Sequence, residues 1–176
     1  MTKNEIRRQI LKRRLSLSKK SLATKSKIIC QKLKKLPKFK KARNILFYFP
    51  VQNEVDILPI LKQSLKTKIV LLPYIVNKQI KPRRIRSLND LETGPFQIPQ
   101  PKKSCPVVEV STVDLVLVPA IAFDDLKHRI GFGFGYYDKL LKKLNCPKIG
   151  LAYDFQIIEN MPRAAHDQQV DFVVHN

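Results

Sequence analysis

The apolar positions along this chain switch repeatedly between a helical and a strand period. Ile6, Ile10 and Leu15 recur at helical spacing, and Thr2 with Glu5 stands just ahead of them at capping-box spacing, which predicts a first helix. A second amphipathic helix is expected over residues 18–36, with Leu22, Ile29, Leu33 and Leu36 on one face and Pro37 closing it. Residues 44–49 read as a buried strand. Asp56 is placed to cap a helix reaching residue 66, where Pro59 is tolerable because it lies in the first turn. Residues 68–72 form another strand ended by proline, and 79–86 a strand with one basic, exposed side. The stretch 89–109, rich in Pro, Gly and Lys, reads as a long ordered loop or an edge crossing. Residues 113–118 are the most strongly apolar strand; a helix over 136–144, a strand over 148–152 and a last strand near 170–174 follow.

Strands alternating with helices imply an α/β sandwich with a mainly parallel central sheet flanked by helices. In such sheets ligands sit beyond the carboxyl ends of the strands. Pro50, Pro73 and Pro119 each mark such an end, so the loops after them should converge on one crevice. With 176 residues the simplest organisation is one domain, the helices within 2–36 packing on the α/β core.

Composition narrows the class. A hydrophobic share of 44% is that of a globular protein, and no apolar run nears the roughly 20 residues that span a bilayer. The opening MTKNEIRRQILKRR lacks the apolar centre of a signal peptide. Cys30, Cys105 and Cys146 are far apart and outside any CxxC pair, which favours reduced thiols in a cytoplasm over a disulfide framework or structural zinc. The expectation is a soluble cytoplasmic protein. Its 34 Lys and Arg against 14 Asp and Glu give +20, which attracts nucleic acid, anionic membranes and polyanionic small substrates alike. The basic residues concentrate in 3–41 and 78–86, where they read first as solvated helix surface; no zinc-finger spacing or RNP-like motif accompanies them.

The chemistry concentrates late in the chain. Gly131, Gly133 and Gly135 alternate and run into Tyr136, Tyr137 and Asp138, after the apolar strand over 113–118. A strand, a glycine-rich loop and a helix start together make a place to hold phosphate. The spacing is not that of the dinucleotide fingerprint, and Walker A and protein-kinase signatures are absent. Beside this loop, Asp138 and Asp167 are two carboxylates able to hold Mg²⁺ with phosphate co-ligands. Taken alone they read as a first-turn acid and a turn residue. Lys3 and Arg7, one helical turn apart, are either a phosphate clamp or surface charge. Glu54, in YFPVQNEVD, reads as a crevice residue for a polar ligand group or as a solvated loop carboxylate. Tyr136 and Tyr137 are core anchors, or one of them stacks on a flat heterocycle. His128, His166 and His175 lack metal-ligand spacing, and no Ser-His-Asp or Cys-His nucleophile pattern stands out.

With these residues in view, the chain resembles the 5-formyltetrahydrofolate cyclo-ligase family over nearly its whole length. The likeness rests on Lys3 and Arg7; on Tyr48, Pro50, Glu54, Val55 and Asp56; and on Leu72-Pro73. It continues through the proline-rich 94–101 segment, Val118-Pro119 and Phe123-Asp124 to the run from Arg129 to Asp138, and ends with Gly150, Tyr153, Gln156, Pro162, Asp167 and Asp171. The resemblance implies a three-layer α/β sandwich and an ATP- and Mg²⁺-dependent closure of 5-formyltetrahydrofolate, with its polyglutamylated form as a further substrate, to 5,10-methenyltetrahydrofolate through a phosphorylated formyl group. It also implies a cytoplasmic monomer with no obligatory nucleic acid or membrane partner. Carried over by residue, Lys3, Arg7, Arg129, Ile130, Gly131, Phe132, Gly133, Phe134, Gly135, Tyr136 and Tyr137 would contact ATP. Glu54, Tyr136 and Tyr137 would bind the folate, Arg129, Tyr136 and Tyr137 would act in catalysis, and Asp138 and Asp167 would hold Mg²⁺.

This chain departs from the family pattern at Lys139, where Arg is common, and at His128, where glycine is common. It departs again at Gln97 and Gln100 in the proline-rich segment, and at Phe134, where small or basic residues are common. The rival readings are a basic nucleic-acid-binding protein on a related scaffold with a vestigial loop, and a phosphate-ligand domain with another substrate.

Overall fold

In the computed structural model, which describes residues 1–165 and 167–176, the expected capping box forms at the start of helix α1 (Lys3–Leu15). The Thr2 hydroxyl accepts from the Glu5 N–H at 3.3 Å and the Glu5 carboxylate from the Thr2 N–H at 2.7 Å, satisfying two helix-end donors. The buried stripe differs from the expected one. Ile6 and Ile10 are buried, but Leu15 is 55% exposed and Arg14 takes the inward place at 0%. At about 100° per residue Leu15 lies about 180° round the helix from Ile6, whereas Arg14 lies about 80° from it.

Helix α2 (Lys19–Lys35) starts on Ser18, whose hydroxyl accepts from the Ser21 N–H at 3.2 Å, and buries Ile29 and Leu33. Pro37 ends it as expected and also opens a short helix, α3 (Pro37–Lys41), because proline's missing N–H is no loss in a first turn. Strand β1 (Asn44–Leu46) is shorter than expected, although Phe47 still donates to the Leu71 carbonyl. Helix α4 (Leu58–Ser64) is likewise shorter, and the Asp56 carboxylate accepts from its Leu58 N–H at 3.0 Å.

The strand expected to stop at proline does not. β2 (Ile69–Val76) runs through Pro73 and pairs antiparallel with β3 (Gln79–Ile85), setting Pro73 opposite Pro82. The Pro82 carbonyl instead accepts from Val108 on the outer side of β3, so the two prolines face each other where the ladder needs no N–H. The stretch read as a loop holds a small hairpin, β4 (Leu91–Thr93) with β5 (Pro99–Pro101).

Further strands are β6 (Leu115–Val118), β7 (Ala122–Phe123) and β8 (Arg129–Ile130), then helix α5 (Tyr136–Leu141), β9 (Lys148–Ala152) and β10 (Phe172–His175). The main sheet has the order β10-β9-β6-β1-β2-β3, parallel throughout except for β3. This is the expected α/β architecture in three layers. Alternate residues of β6 divide between the two faces: Leu115 and Leu117 pack with Ile29, Leu33 and Leu61, and Val116 and Val118 with Leu140 and Leu141. A third cluster joins Ile6 and Ile10 of α1 to Ile121, Ala122, Ile130 and Met161, docking α1 beyond the carboxyl end of β6.

The three cysteines are free thiols, and burial pushes Cys30 and Cys146 up to about 11, so both stay protonated at neutral pH. Among the described residues no helix is long and apolar enough to cross a membrane. His166 lies outside the described residues.

Candidate active site

Helix α1 and the 129–138 segment meet at the crevice beyond the strand ends. Lys3 forms an ion pair with Asp167, and Arg7 donates through Nε to the Gly131 carbonyl at 2.8 Å. The β7–β8 turn that delivers this segment is tied by Asp124. Its carboxylate accepts from the His128 N–H at 2.8 Å and from Arg163 Nε at 2.9 Å. Gly133 and Gly135 have φ of 102° and 67°, a left-handed backbone that a side chain would strain, so these two positions are where the loop depends on glycine. Lys3 and Arg7 therefore are not free surface charge: each is tied to a segment more than a hundred residues away.

Arg129 is buried and donates through Nη2 to Asp138 Oδ1 at 2.8 Å, and the same oxygen accepts from the Gln168 N–H at 3.2 Å. Asp167 accepts from the Ala164 N–H at 2.7 Å through the oxygen that meets Lys3. The two aspartates thus stand at one corner of the crevice, joined through residues 167–168 and balanced by Arg129 and Lys3. Among the described residues no group of three or more His, Cys, Asp and Glu is assembled for a metal. A pair of carboxylates is still the donor chemistry that Mg²⁺ takes, since that ion is commonly held by one or two carboxylates with phosphate oxygens and water completing the shell. The histidines hold no such place: His128 lies 3.5 Å from the Asp124 carboxylate, and His175 is exposed on β10.

Glu54 is buried, against the solvated reading of it. Its loop is tight, with Gln52 and Asn53 at φ of 46° and 57°. One carboxylate oxygen, Oε2, accepts from the Val51 N–H at 3.0 Å; the other, Oε1, lies 3.9 Å from Arg14 Nη1. The Tyr153 hydroxyl fixes the loop from behind, donating to the Glu54 carbonyl at 3.1 Å. Burial raises the Glu54 carboxyl to about 7, and the opposing pull of Arg14 and the Val51 N–H only moderates it. A folded-state value above the ordinary 4.5 means that the folded chain holds the extra proton. The associated stability is full below about 4.5 and is lost as pH rises through about 7. Glu54→Gln, which cannot titrate, should flatten the fall in unfolding free energy across that window in urea melts. Equal slopes in both proteins would place the proton elsewhere.

Aromatic residues lie beside these charged groups. Tyr137 carries a buried hydroxyl with no hydrogen-bond partner among the described residues, and its ring lies 5.8 Å from the Arg129 guanidinium. Tyr136 stacks on Phe134 at 5.5 Å, and Phe134 meets Phe96 at 5.0 Å. The exposed Phe132 ring lies 5.9 Å from the Arg14 guanidinium. Ile130 differs from its neighbours, because its side chain is in the core and its carbonyl accepts from Ile121. The structure therefore links Lys3, Arg7, Arg129, the glycine loop, Tyr137, Asp138 and Asp167 by contacts, and Phe132 beside Arg14 leads from that group to Glu54 on the loop after β1. Arg14 is the addition that sequence did not name. Its signal was an arginine falling on the inward side of a helix marked by Ile6 and Ile10.

The sequence profile of the 5-formyltetrahydrofolate cyclo-ligase family matches residues 1–176. The chain belongs to that family. Among relatives in the 5-formyltetrahydrofolate cyclo-ligase family, the protein so named from Mycoplasma pneumoniae is 34% identical over 159 residues, 89% of this chain and 88% of that one. The solution structure of the Aquifex aeolicus 5,10-methenyltetrahydrofolate synthetase is similar at a TM-score of 0.91 and 39% identity, over 99% of this chain and 90% of that one. The Mycoplasma pneumoniae 5,10-methenyltetrahydrofolate synthetase structure is similar at a TM-score of 0.82 and 28% identity, over 99% and 98%. Membership of the 5-formyltetrahydrofolate cyclo-ligase family makes this protein a ligase of folate one-carbon chemistry.

Proposed function

We propose that this protein closes 5-formyltetrahydrofolate to 5,10-methenyltetrahydrofolate at the expense of ATP, releasing ADP and phosphate, with Mg²⁺ held by Asp138 and Asp167. The observation that carries the reading is the double tie of α1, through Arg7 to Gly131 of the glycine loop and through Lys3 to Asp167, in a member of this family. It gives cations, a glycine loop and two carboxylates one shared crevice, which is what aligning a triphosphate requires.

In this reading the formyl oxygen attacks the γ-phosphorus and the bridging oxygen leaves with ADP. N10 of the folate then adds to the formyl carbon, the carbon–oxygen bond breaks, and phosphate departs as N10 loses its proton. Lys3, Arg7, Arg129 and the 130–135 backbone would hold the phosphates and offset charge as it shifts between oxygens. Bound Mg²⁺ would supply further charge neutralisation on the phosphate oxygens. Glu54 would accept from the pterin, and Tyr136 and Tyr137 would flank the pterin and formyl group. The +20 charge would draw in ATP and polyglutamylated folate, both anionic.

The test is the near-ultraviolet absorbance of the methenyl product, with purified protein, 5-formyltetrahydrofolate, ATP and Mg²⁺. An increase that requires ATP is expected. Folded protein that gives no increase, yet binds polynucleotide with a steep salt dependence, would replace this reading with the nucleic-acid one.

A further inference from the structure

Arg14 is the most deeply buried charge in the described chain, at 0% exposure, yet it is poorly satisfied. Nη1 reaches the Ala120 carbonyl at 3.4 Å and stands 3.9 Å from Glu54 Oε1, beyond hydrogen-bond distance. Nε and Nη2 have no hydrogen-bond partner among the described residues, and neither does Glu54 Oε1. An arginine offers five N–H groups in a fixed plane, and one kept only for folding would have more of them paired. The unused donors and the unused acceptor belong to neighbouring side chains, Nη1 standing 3.9 Å from Oε1, and the Tyr137 hydroxyl is likewise buried with no partner among the described residues.

The helix geometry adds a second, independent reason. Lys3, Arg7 and Arg14 fall within about 40° of one another around α1, so they form one stripe, and Arg14 stands about 16 Å along the axis from Lys3. Lys3 meets Asp167 and Arg7 meets Gly131, at the phosphate side of the crevice; Arg14 meets the Glu54 loop at the other.

We propose that Arg14 is a specificity-determining residue that, with Glu54, reads the pyrimidinone edge of the folate: Glu54 Oε1 accepts from the ring N3–H and Arg14 donates to the 4-oxo oxygen. This rests on the function proposed above. Arg14 and Glu54, a donor beside an acceptor on the protein, match the 4-oxo acceptor beside the N3–H donor on that ring. The ligand reaches Arg14 by displacing the Phe132 ring, which stands between Gly131 and Gly133 and is exposed on its outer side.

The experiment compares equilibrium binding of 5-formyltetrahydrofolate with that of its 4-amino-4-deoxy analogue, which presents a donor where the oxo acceptor was and an acceptor where N3–H was. Wild-type protein should prefer the oxo compound. Arg14→Met should weaken the oxo compound by about tenfold, the scale of one charge-assisted hydrogen bond, and leave the amino analogue nearly unchanged. Arg14→Lys, which keeps the charge and loses the fork, should fall between them. Equal weakening of both ligands, or an unchanged preference in a folded Arg14→Met protein, would mean a structural role and overturn the inference. Wild-type protein that binds both compounds equally overturns it without any variant. Wild-type protein that binds neither removes the proposed function, and this inference with it.

Discussion

Asp138→Asn should lose about a thousandfold in kcat while the protein stays folded. The carboxylate holds the buried Arg129 guanidinium at 2.8 Å and, in the proposed function, would share Mg²⁺ with Asp167. Asparagine keeps an oxygen for Arg129 and for the Gln168 N–H, so the local hydrogen bonds survive while the charge does not. A stability cost of about 1–3 kcal/mol is expected from facing a buried cation with a neutral group. Removing one preorganised electrostatic group at a reacting centre typically costs about a hundred- to a thousandfold in rate, and loss of a metal ligand belongs at the upper end. The measurement is kcat at saturating ATP and folate across a Mg²⁺ titration, with thermal unfolding as the check on folding. Turnover equal to wild type would remove Asp138 from the metal assignment.

Gly150→Ala should produce the largest loss of stability. Gly150 lies within β9, between β6 and β10, with Val118 and Val173 as its ladder partners. A Cβ there would meet the Phe123 ring at 2.5 Å, and Phe123 is itself fully buried. Neither strand can retreat without breaking a ladder, so the ring must move. Overpacking of this kind costs about 3 kcal/mol, or roughly 6–12 °C in Tm for a chain of this size. Phe123 pairs with Arg129 across β7 and β8, so activity should fall as well. Adding Phe123→Leu should recover part of the stability, since the smaller side chain makes room. A neutral Gly150→Ala would show that the ring yields freely and that the packing argument is wrong.

The elements with a clean period were readable in advance, and β9 matches its expected bounds because its apolar run is short and bracketed. The glycine loop was readable because alternate glycines before Tyr136 have few other uses. What escaped depended on distant partners. Pro73 looked like a strand end because its tolerance in β2 depends on Pro82 and Val108, neither nearby in sequence. The hairpin of β4 and β5 carries three prolines within 95–101, which read as loop in any local window. Glu54 read two ways, as a crevice residue or a solvated carboxylate, because nothing around it in sequence reveals Tyr153 closing over its loop from the far end of the chain. Arg14 was passed over for a simpler reason: a stripe read only from apolar residues skips a buried cation.

The docking of α1 has a consequence for the order in which the molecule is completed during synthesis. Ile6 and Ile10 leave the ribosome long before Ile121, Ala122, Ile130 and Met161, the residues that cover them. Until then the first helix is a basic amphipathic segment with nothing to lie against, and its cations have neither Gly131 nor Asp167 to meet. A nascent chain therefore cannot assemble the proposed triphosphate site piecemeal. The crevice comes into being only when the last third of the polypeptide arrives, so partial products can bury sheet residues without gaining ligase chemistry.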